Sequence, residues 1–131
     1  MPPKGHAEYL ANQVMAASPE QLVIMAYDGA LRFARVAREA MKVDDIKTHS
    51  LNILRAQDII MYLLSTLNSD ASPELSFDLS RIYVYIHGRL TDANLKSDVK
   101  IMDECIELLN NIREAWAEAE VKLKTPMEKA A

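Results

Sequence analysis

The sequence predicts an all-α protein, an antiparallel four-helix bundle with a short mobile N-terminal helical segment. Chain breakers are scarce: Gly and Pro together make up eight of 131 residues, about half the roughly 12% of average usage. Their placement matters as much as their number. Pro2, Pro3, Pro19, Pro73 and Pro126 fall at ends or at one central break, and residues 20–72 and 74–125 hold no proline. Between the breaks, apolar residues recur at helical spacing. An all-β domain needs many more turn residues than these, so sandwiches and barrels are excluded.

The first helix starts at Ser18-Pro19-Glu20-Gln21. Ser18 is placed to accept from the Gln21 backbone and Gln21 to reach back, a capping box. Pro19 at the first helical position sacrifices no hydrogen bond, and Glu20 meets the positive end of the helix dipole. The pattern runs to about Met41. It puts Leu22, Met25, Ala26, Gly29, Phe33, Val36 and Ala40 on one face, with a second stripe of Ile24, Tyr27, Leu31 and Ala34 beside it. Asp44 and Asp45 cap a second helix over about 45–67, with Ile46, Ile53, Ala56, Ile60, Leu63 and Leu67 in step. Asn68 to Ser72 forms the break. Ser72-Pro73-Glu74 repeats the earlier start and opens a third helix to about Leu95, striped by Leu75, Leu79, Ile82, Ile86, Leu90 and Ala93. Ser97 and Asp98 begin the fourth, which runs to about Leu123 through Ile101, Cys105, Leu108, Ile112, Ala115 and Ala119. Residues 1–17 form the N-terminal segment, with one or two helical turns around Tyr9-Leu10 and Val14-Met15. Residues 18–125 form the bundle, and 126–131 a frayed polar tail.

Composition narrows the function. A net charge of −4 and a pI near 5.3 do not suit sequence-independent nucleic-acid binding, which needs a basic face. The single Cys105 fits a reducing compartment. The longest apolar-rich stretch, Ile59 to Ser69, is shorter than the ~18 residues of a membrane span. Asn12 and Gln13 interrupt any signal-peptide core, so the expected location is the cytoplasm. No residue pattern points to catalysis. A di-metal bundle requires Glu-x-x-His pairs, yet the residues three before His6, His49 and His87 are Pro3, Ile46 and Val84; no metal or cofactor is expected. His87 lacks the Lys and Gly that usually follow a phosphotransfer histidine. Cys105 sits on an apolar stripe, where a buried thiol is a poor nucleophile. Tyr83 and Tyr85 point to opposite sides of their helix, one core and one rim. Trp116 is placed to seal the core.

Some helices carry more apolar surface than a bundle seam uses. Ile24, Tyr27 and Leu31 are surplus in the first, and Leu51, Leu54, Met61 and Leu64 in the second. This surplus either closes an unusually thick core or lines an exposed groove. Core is the commoner role for any one residue, but as a set they are harder to hide, and large exposed apolar patches usually mark binding sites.

The residues also resemble a known family. Tyr9, Val14 and Ala17-Ser18-Pro19-Glu20-Gln21-Leu22, followed by Tyr27-Asp28-Gly29-Ala30, are similar to the opening of the flagellar secretion chaperones, the FliS family. The match continues in register through Arg55-Ala56-Gln57-Asp58-Ile59-Ile60 and Leu79-x-x-Ile82-Tyr83-x-Tyr85-Ile86. It ends with Leu90-x-x-Ala93-Asn94 and Leu108-Leu109-x-x-Ile112-Arg113-Glu114-Ala115-Trp116. Ala26 departs from the pattern, standing where a larger aliphatic is common, as does the Ser72-Pro73 turn, which frequently contains Gly.

The resemblance implies a non-enzymatic bacterial chaperone in the cytosol. It would bind the disordered C-terminal segment of flagellin, prevent premature polymerisation and escort the subunit to the flagellar type III export apparatus. The alternative is a non-enzymatic assembly or regulatory module that binds several flagellar proteins. Other flagellar regulators and a second copy of the chain are further partners the resemblance admits; nucleic acid and membrane insertion are not expected. Resemblance and helical phase together nominate Ile24, Tyr27, Leu31, Ile53, Gln57, Ile60, Leu64, Tyr83, Ile86, Leu90 and Asn94 for partner contact or for framing the groove. For each the competing role is bundle core, most of all for Ile53, Ile60 and Ile86. Tyr9, Leu10, Val14 and Met15 are the expected cap, shielding the groove until a client that buries more surface displaces them.

Overall fold

The computed structural model describes residues 4–67 and 72–130, and these form five helices. Helix α1 spans Lys4–Ala16, α2 Pro19–Lys42, α3 Ile46–Ser65, α4 Pro73–Lys96 and α5 Val99–Ala130. The last four pack as a ring in which α2 neighbours α3 and α5, and α4 neighbours the same two. Consecutive members run antiparallel. Helix α1 belongs to none of these packed pairs.

Local chemistry sets the helix ends. At Ser18 the capping box is complete: Ser18 Oγ accepts from the Gln21 N–H at 3.2 Å, and Gln21 Oε1 accepts from the Ser18 N–H at 3.0 Å. The second Ser-Pro-Glu start is weaker, because the residue three after Ser72 is Leu75, which has nothing to return; Ser72 makes no side-chain cap. Asp45 caps α3 by accepting from the Thr48 N–H at 3.1 Å. The tight α2–α3 and α4–α5 turns each use a left-handed residue, Asp44 with φ of 57° and Ser97 with φ of 50°. Asp98 then accepts from the Lys100 and Ile101 N–H groups to start α5.

The core contains Tyr27, Leu31, Ile53, Ile60, Leu63, Tyr83, Ile86, Leu90, Met102, Cys105 and Leu109. Its distribution over α2 reverses the expected order of the stripes. Tyr27, Leu31 and Ala34, read as the flanking set, are buried, whereas Val36 of the supposed main face is exposed and Phe33 half-buried. The reason is side-chain size. Ala30, Ala34 and Ala37 form a small-residue seam, so neighbouring helices close on that line and long side chains beside it are pushed outward. Gly29 serves the same approach: a Cβ there would stand 3.1 Å from Ile59 Cδ1.

Three boundaries depart from expectation. Residues 4–16 form one continuous helix instead of separate turns, and Tyr9 and Met15 are 62% and 84% exposed, with Val14 exposed as well. They therefore do not shield a groove in this structure; the Leu10 side chain lies outside the described residues, as do residues 68–71 of the central break. Helix α3 ends at Ser65, two residues early, where the Ser65 and Thr66 hydroxyls donate to the Tyr62 and Leu63 carbonyls and compete with helix continuation. Helix α5 runs on to Ala130 through the stretch expected to fray, since its Ala, Glu and Lys residues have high helix propensity and outweigh Pro126.

Burial pushes the Cys105 thiol up to about 12, with Glu104 nearby adding to the effect. A folded-state value above the ordinary one of about 8.5 means the thiol contributes stability below that ordinary value, which is lost as pH rises through the alkaline range. Cys105 should therefore resist alkylation at pH 8 in the folded protein and react once denaturant is added; mass spectrometry after iodoacetamide treatment reads this directly. The two N-caps supply a separate check. Ser18→Ala should cost about 1 kcal/mol in urea unfolding, while Ser72→Ala should leave the midpoint nearly unchanged.

Candidate functional site

Exposed apolar side chains concentrate where α3 meets α4. Along α3 the residues Ser50, Leu54, Gln57, Met61 and Leu64 follow a spacing of four and three, which places them on one stripe. Along α4 the stripe is Ser80, Val84, His87, Thr91 and Asn94. Because the helices are antiparallel, Ser50 lies opposite Asn94, and its hydroxyl donates to Asn94 Oδ1 at 2.9 Å. Two helical turns further along α3, Gln57 Nε2 donates to the His87 carbonyl at 3.0 Å and to Thr91 Oγ1 at 2.9 Å. These bonds hold the two helices at a fixed separation without filling the space above them.

Toward the amino-terminal half of α4 the polar ties end and an apolar crevice begins. Its volume is about 220 Å³, and Ile60, Met61, Leu64, Tyr83, Val84 and His87 line it. Ile60 and Tyr83 form a buried floor. Met61 and Val84 stand on the walls, 52% and 62% exposed, and Leu54, 55% exposed, continues the α3 stripe two turns before Met61, outside the crevice itself. Leu51, Tyr62 and Phe77 extend the exposed apolar surface on either side. No Asp, Glu, Lys or Arg lines the crevice. This is the combination that receives the apolar face of an incoming helix: a rigid floor, large uncovered side chains and few charges to desolvate.

The floor is fixed from below. The Tyr83 hydroxyl is hydrogen bonded to that of Tyr27 inside the core. Burial raises the pKa of both phenols, and for Tyr27 the bond to Tyr83 adds to the rise while the Trp116 side chain opposes it. Two residues along, Tyr85 is exposed and donates to Glu104 Oε1 at 3.1 Å. Arg89 Nε donates to the same oxygen at 2.9 Å, and its guanidinium holds the Glu104 carboxyl below its ordinary range. Tyr83 and Tyr85 thus divide into core and rim.

The nominated residues separate into three groups. Gln57, Ile60, Leu64, Tyr83 and Asn94 come together along the α3–α4 groove. Ile53, Ile86 and Leu90 are bundle core, the competing role for each, and so are Tyr27 and Leu31, which lie on the same inward face of α2 as Ala30, Ala34 and Ala37. Gln57, Ile60 and Tyr83 are also buried, so they frame the groove from its floor instead of forming its surface. Ile24 is separate, half-buried in a crevice between α1 and α2 with Gln13, Ala16, Ala17, Gln21 and Met25. Leu54 and Met61 were visible as surplus apolar residues. Val84 and His87 were missed, since Val84 lies outside the apolar stripe of α4 and only the pairing of α4 with α3 reveals its position.

Removing the central tie should loosen the groove. Gln57→Ala deletes both side-chain bonds and should destabilise the protein by about 1–3 kcal/mol, measured by urea unfolding followed by circular dichroism.

Comparison with known proteins supplies the context for this geometry. Residues 3–123 match the model of the family described as flagellar protein FliS. The chain is 36% identical over 114 residues to the flagellar secretion chaperone FliS of Bacillus subtilis, covering 87% of this chain and 84% of that protein. It is 36% identical over 110 residues to the flagellar secretion chaperone FliS of Salmonella typhimurium, covering 83% and 82% respectively. The fold is shared with a bacterial flagellar chaperone of known crystal structure, at a TM-score of 0.75 and 18% identity over 91% of this chain and 97% of that one. An exposed apolar groove on a four-helix bundle, the in-register motifs and the matched length lead to one conclusion: the chain belongs to the FliS family of flagellar secretion chaperones.

Proposed function

We propose that this protein is a cytoplasmic export chaperone for flagellin. It binds the disordered C-terminal segment of the subunit, blocks premature polymerisation and delivers the subunit to the flagellar type III export apparatus. Family membership supports the chaperone role. The observation that carries the binding reading is the α3–α4 groove, where Met61 and Val84 remain uncovered above the buried floor of Ile60 and Tyr83 and Leu54 stands exposed further along the α3 stripe.

The chemistry suits holding and releasing a client. An amphipathic segment that folds on binding commonly buries roughly 1,000–3,000 Å² and spends about 2–5 kcal/mol on ordering itself. Its apolar face would seat on Leu54, Met61, Leu64 and Val84, while the uncharged groove imposes little desolvation. Gln57 Nε2 is already engaged by the His87 carbonyl and Thr91, and Asn94 Oδ1 by Ser50, so these atoms keep their partners when water is excluded. Binding of this kind keeps the client's apolar face away from other subunits, and no covalent step is involved. Helix α1, with Tyr9, Val14 and Met15 exposed, adds apolar surface beyond the four packed helices.

Calorimetric titration with a synthetic C-terminal flagellin segment from the same bacterium tests the proposal. Binding is expected at or below tens of micromolar. Leu54→Asp and Val84→Asp, both at exposed positions, should each weaken it at least tenfold, equivalent to about 1.4 kcal/mol, with unchanged circular dichroism. An absence of binding at tens of micromolar by the unaltered protein would overturn it.

A further inference from the structure

A second trough runs along the opposite flank of α4, between α4 and α5. One half, about 610 Å³, is lined by Ile82, Tyr85, Leu108 and Ile112 together with Asp78, Arg81 and Asn111. It continues past Ile112 into a further 230 Å³ bounded by Leu75, Leu79, Ala115, Trp116 and Ala119. Leu75, Ile82 and Tyr85 are exposed. The apolar floor therefore extends from Tyr85 to Ala119, several helical turns, and no described element covers it.

Charge distinguishes this trough from the α3–α4 groove. Asp78 lies in its wall, and Glu74 is one turn before it on the same helix. On α5, Glu107 and Glu118 flank Asn111 at helical spacings of four and seven, on the same lip. Among the described residues, none of these four carboxylates takes part in an ion pair, whereas Glu104 is satisfied by Arg89. The basic side chain in the wall, Arg81, holds its guanidinium over the Phe77 ring, 5.8 Å from the ring centroid. Lys100 stands one turn before Glu104, beyond the apolar floor. Among the described residues the rim thus carries Glu74, Asp78, Glu107 and Glu118 against the one cation Arg81, a net negative balance, whereas no charged residue lines the α3–α4 crevice.

An apolar floor between acidic lips selects its ligand by electrostatic complementarity. We propose that the α4–α5 trough is a second docking site, and that its occupant is an amphipathic helix of another protein with lysine or arginine flanking its apolar face. It binds independently of the client in the α3–α4 groove, so one chaperone carries a client and a second partner on opposite sides of α4. An acidic helix or an anionic membrane surface is disfavoured by the same carboxylates.

The test uses the full chain and two designed peptides that share one leucine face. One carries flanking lysines, the other glutamates at the same positions. Trp116, the single tryptophan, lines the trough and reports binding by its emission. The lysine peptide should bind at least tenfold more tightly than the glutamate peptide in 50 mM salt, with the gap narrowing in 0.5 M salt. Ile82→Asp should weaken the lysine peptide at least tenfold, and Leu54→Asp should leave it unchanged. Asp78→Lys combined with Glu107→Lys, both on the surface, should reverse the preference between the peptides. Equal binding of the two peptides would overturn the proposal. So would loss of binding in Leu54→Asp, or light scattering that shows the trough occupied by a second copy of the chain. None of these readouts involves flagellin, so their failure is separate from failure of the client assignment.

Discussion

Two phenols joined across the diagonal of the bundle organise this molecule. Tyr27 comes from α2 and Tyr83 from α4, helices that are not neighbours in the ring, and their hydroxyls meet inside the core. A buried hydroxyl without a partner costs several times what a satisfied bond contributes, so each tyrosine requires the other. Their rings, 6.4 Å apart and tilted by 44°, leave the centre of the bundle filled by aromatic bulk at the level where Trp116 packs from α5. The consequence is positional. Helix α4 is fixed at the distance two tyrosines span, whereas α2 and α3 close on a seam of alanines and Gly29.

That unequal spacing produces the grooves. Where small residues meet, as between α2 and α3, the helices approach so closely that a Cβ on Gly29 would stand 3.1 Å from Ile59 Cδ1. Around α4, large side chains hold the neighbours apart, and Gln57 bridges the gap with an amide. Tyr83 belongs to both levels of the structure, since the ring whose hydroxyl closes the core also forms the floor of the α3–α4 crevice. Stability and binding surface therefore share one residue, and the apolar walls remain uncovered because the core beneath them is already complete.

Much of the fold was legible in the sequence because it depends on local chemistry. Pro19 and Pro73 fixed two helix starts to the residue, Ser18 with Gln21 fixed one cap, and the pairs Asp44-Asp45 and Ser97-Asp98 bracketed two more, made by Asp45 and Asp98. What depends on tertiary packing was read less well. The alternative stripes of α2 have similar periodicity, and only the closeness of α3 decides that the alanine line is inside. The same limit applies to the site. Leu54 and Met61 could be recognised as surplus on one helix, but Val84 acquires its meaning from the register of α4 against α3, which Ser50–Asn94 and Gln57–Thr91 set over long sequence separation. The helical continuity of residues 4–16 and the extension of α5 to Ala130 arise from propensity over several turns, which the polar composition of the tail obscured.

The central claim is that the client lies on the α3–α4 face. Hydrogen–deuterium exchange on the full-length protein, with and without the C-terminal flagellin segment, measures this most directly. The account predicts slowed exchange in residues 51–64 of α3 and 80–94 of α4 on binding. Protection confined to α2 and α5, with α3 and α4 unchanged, would contradict it.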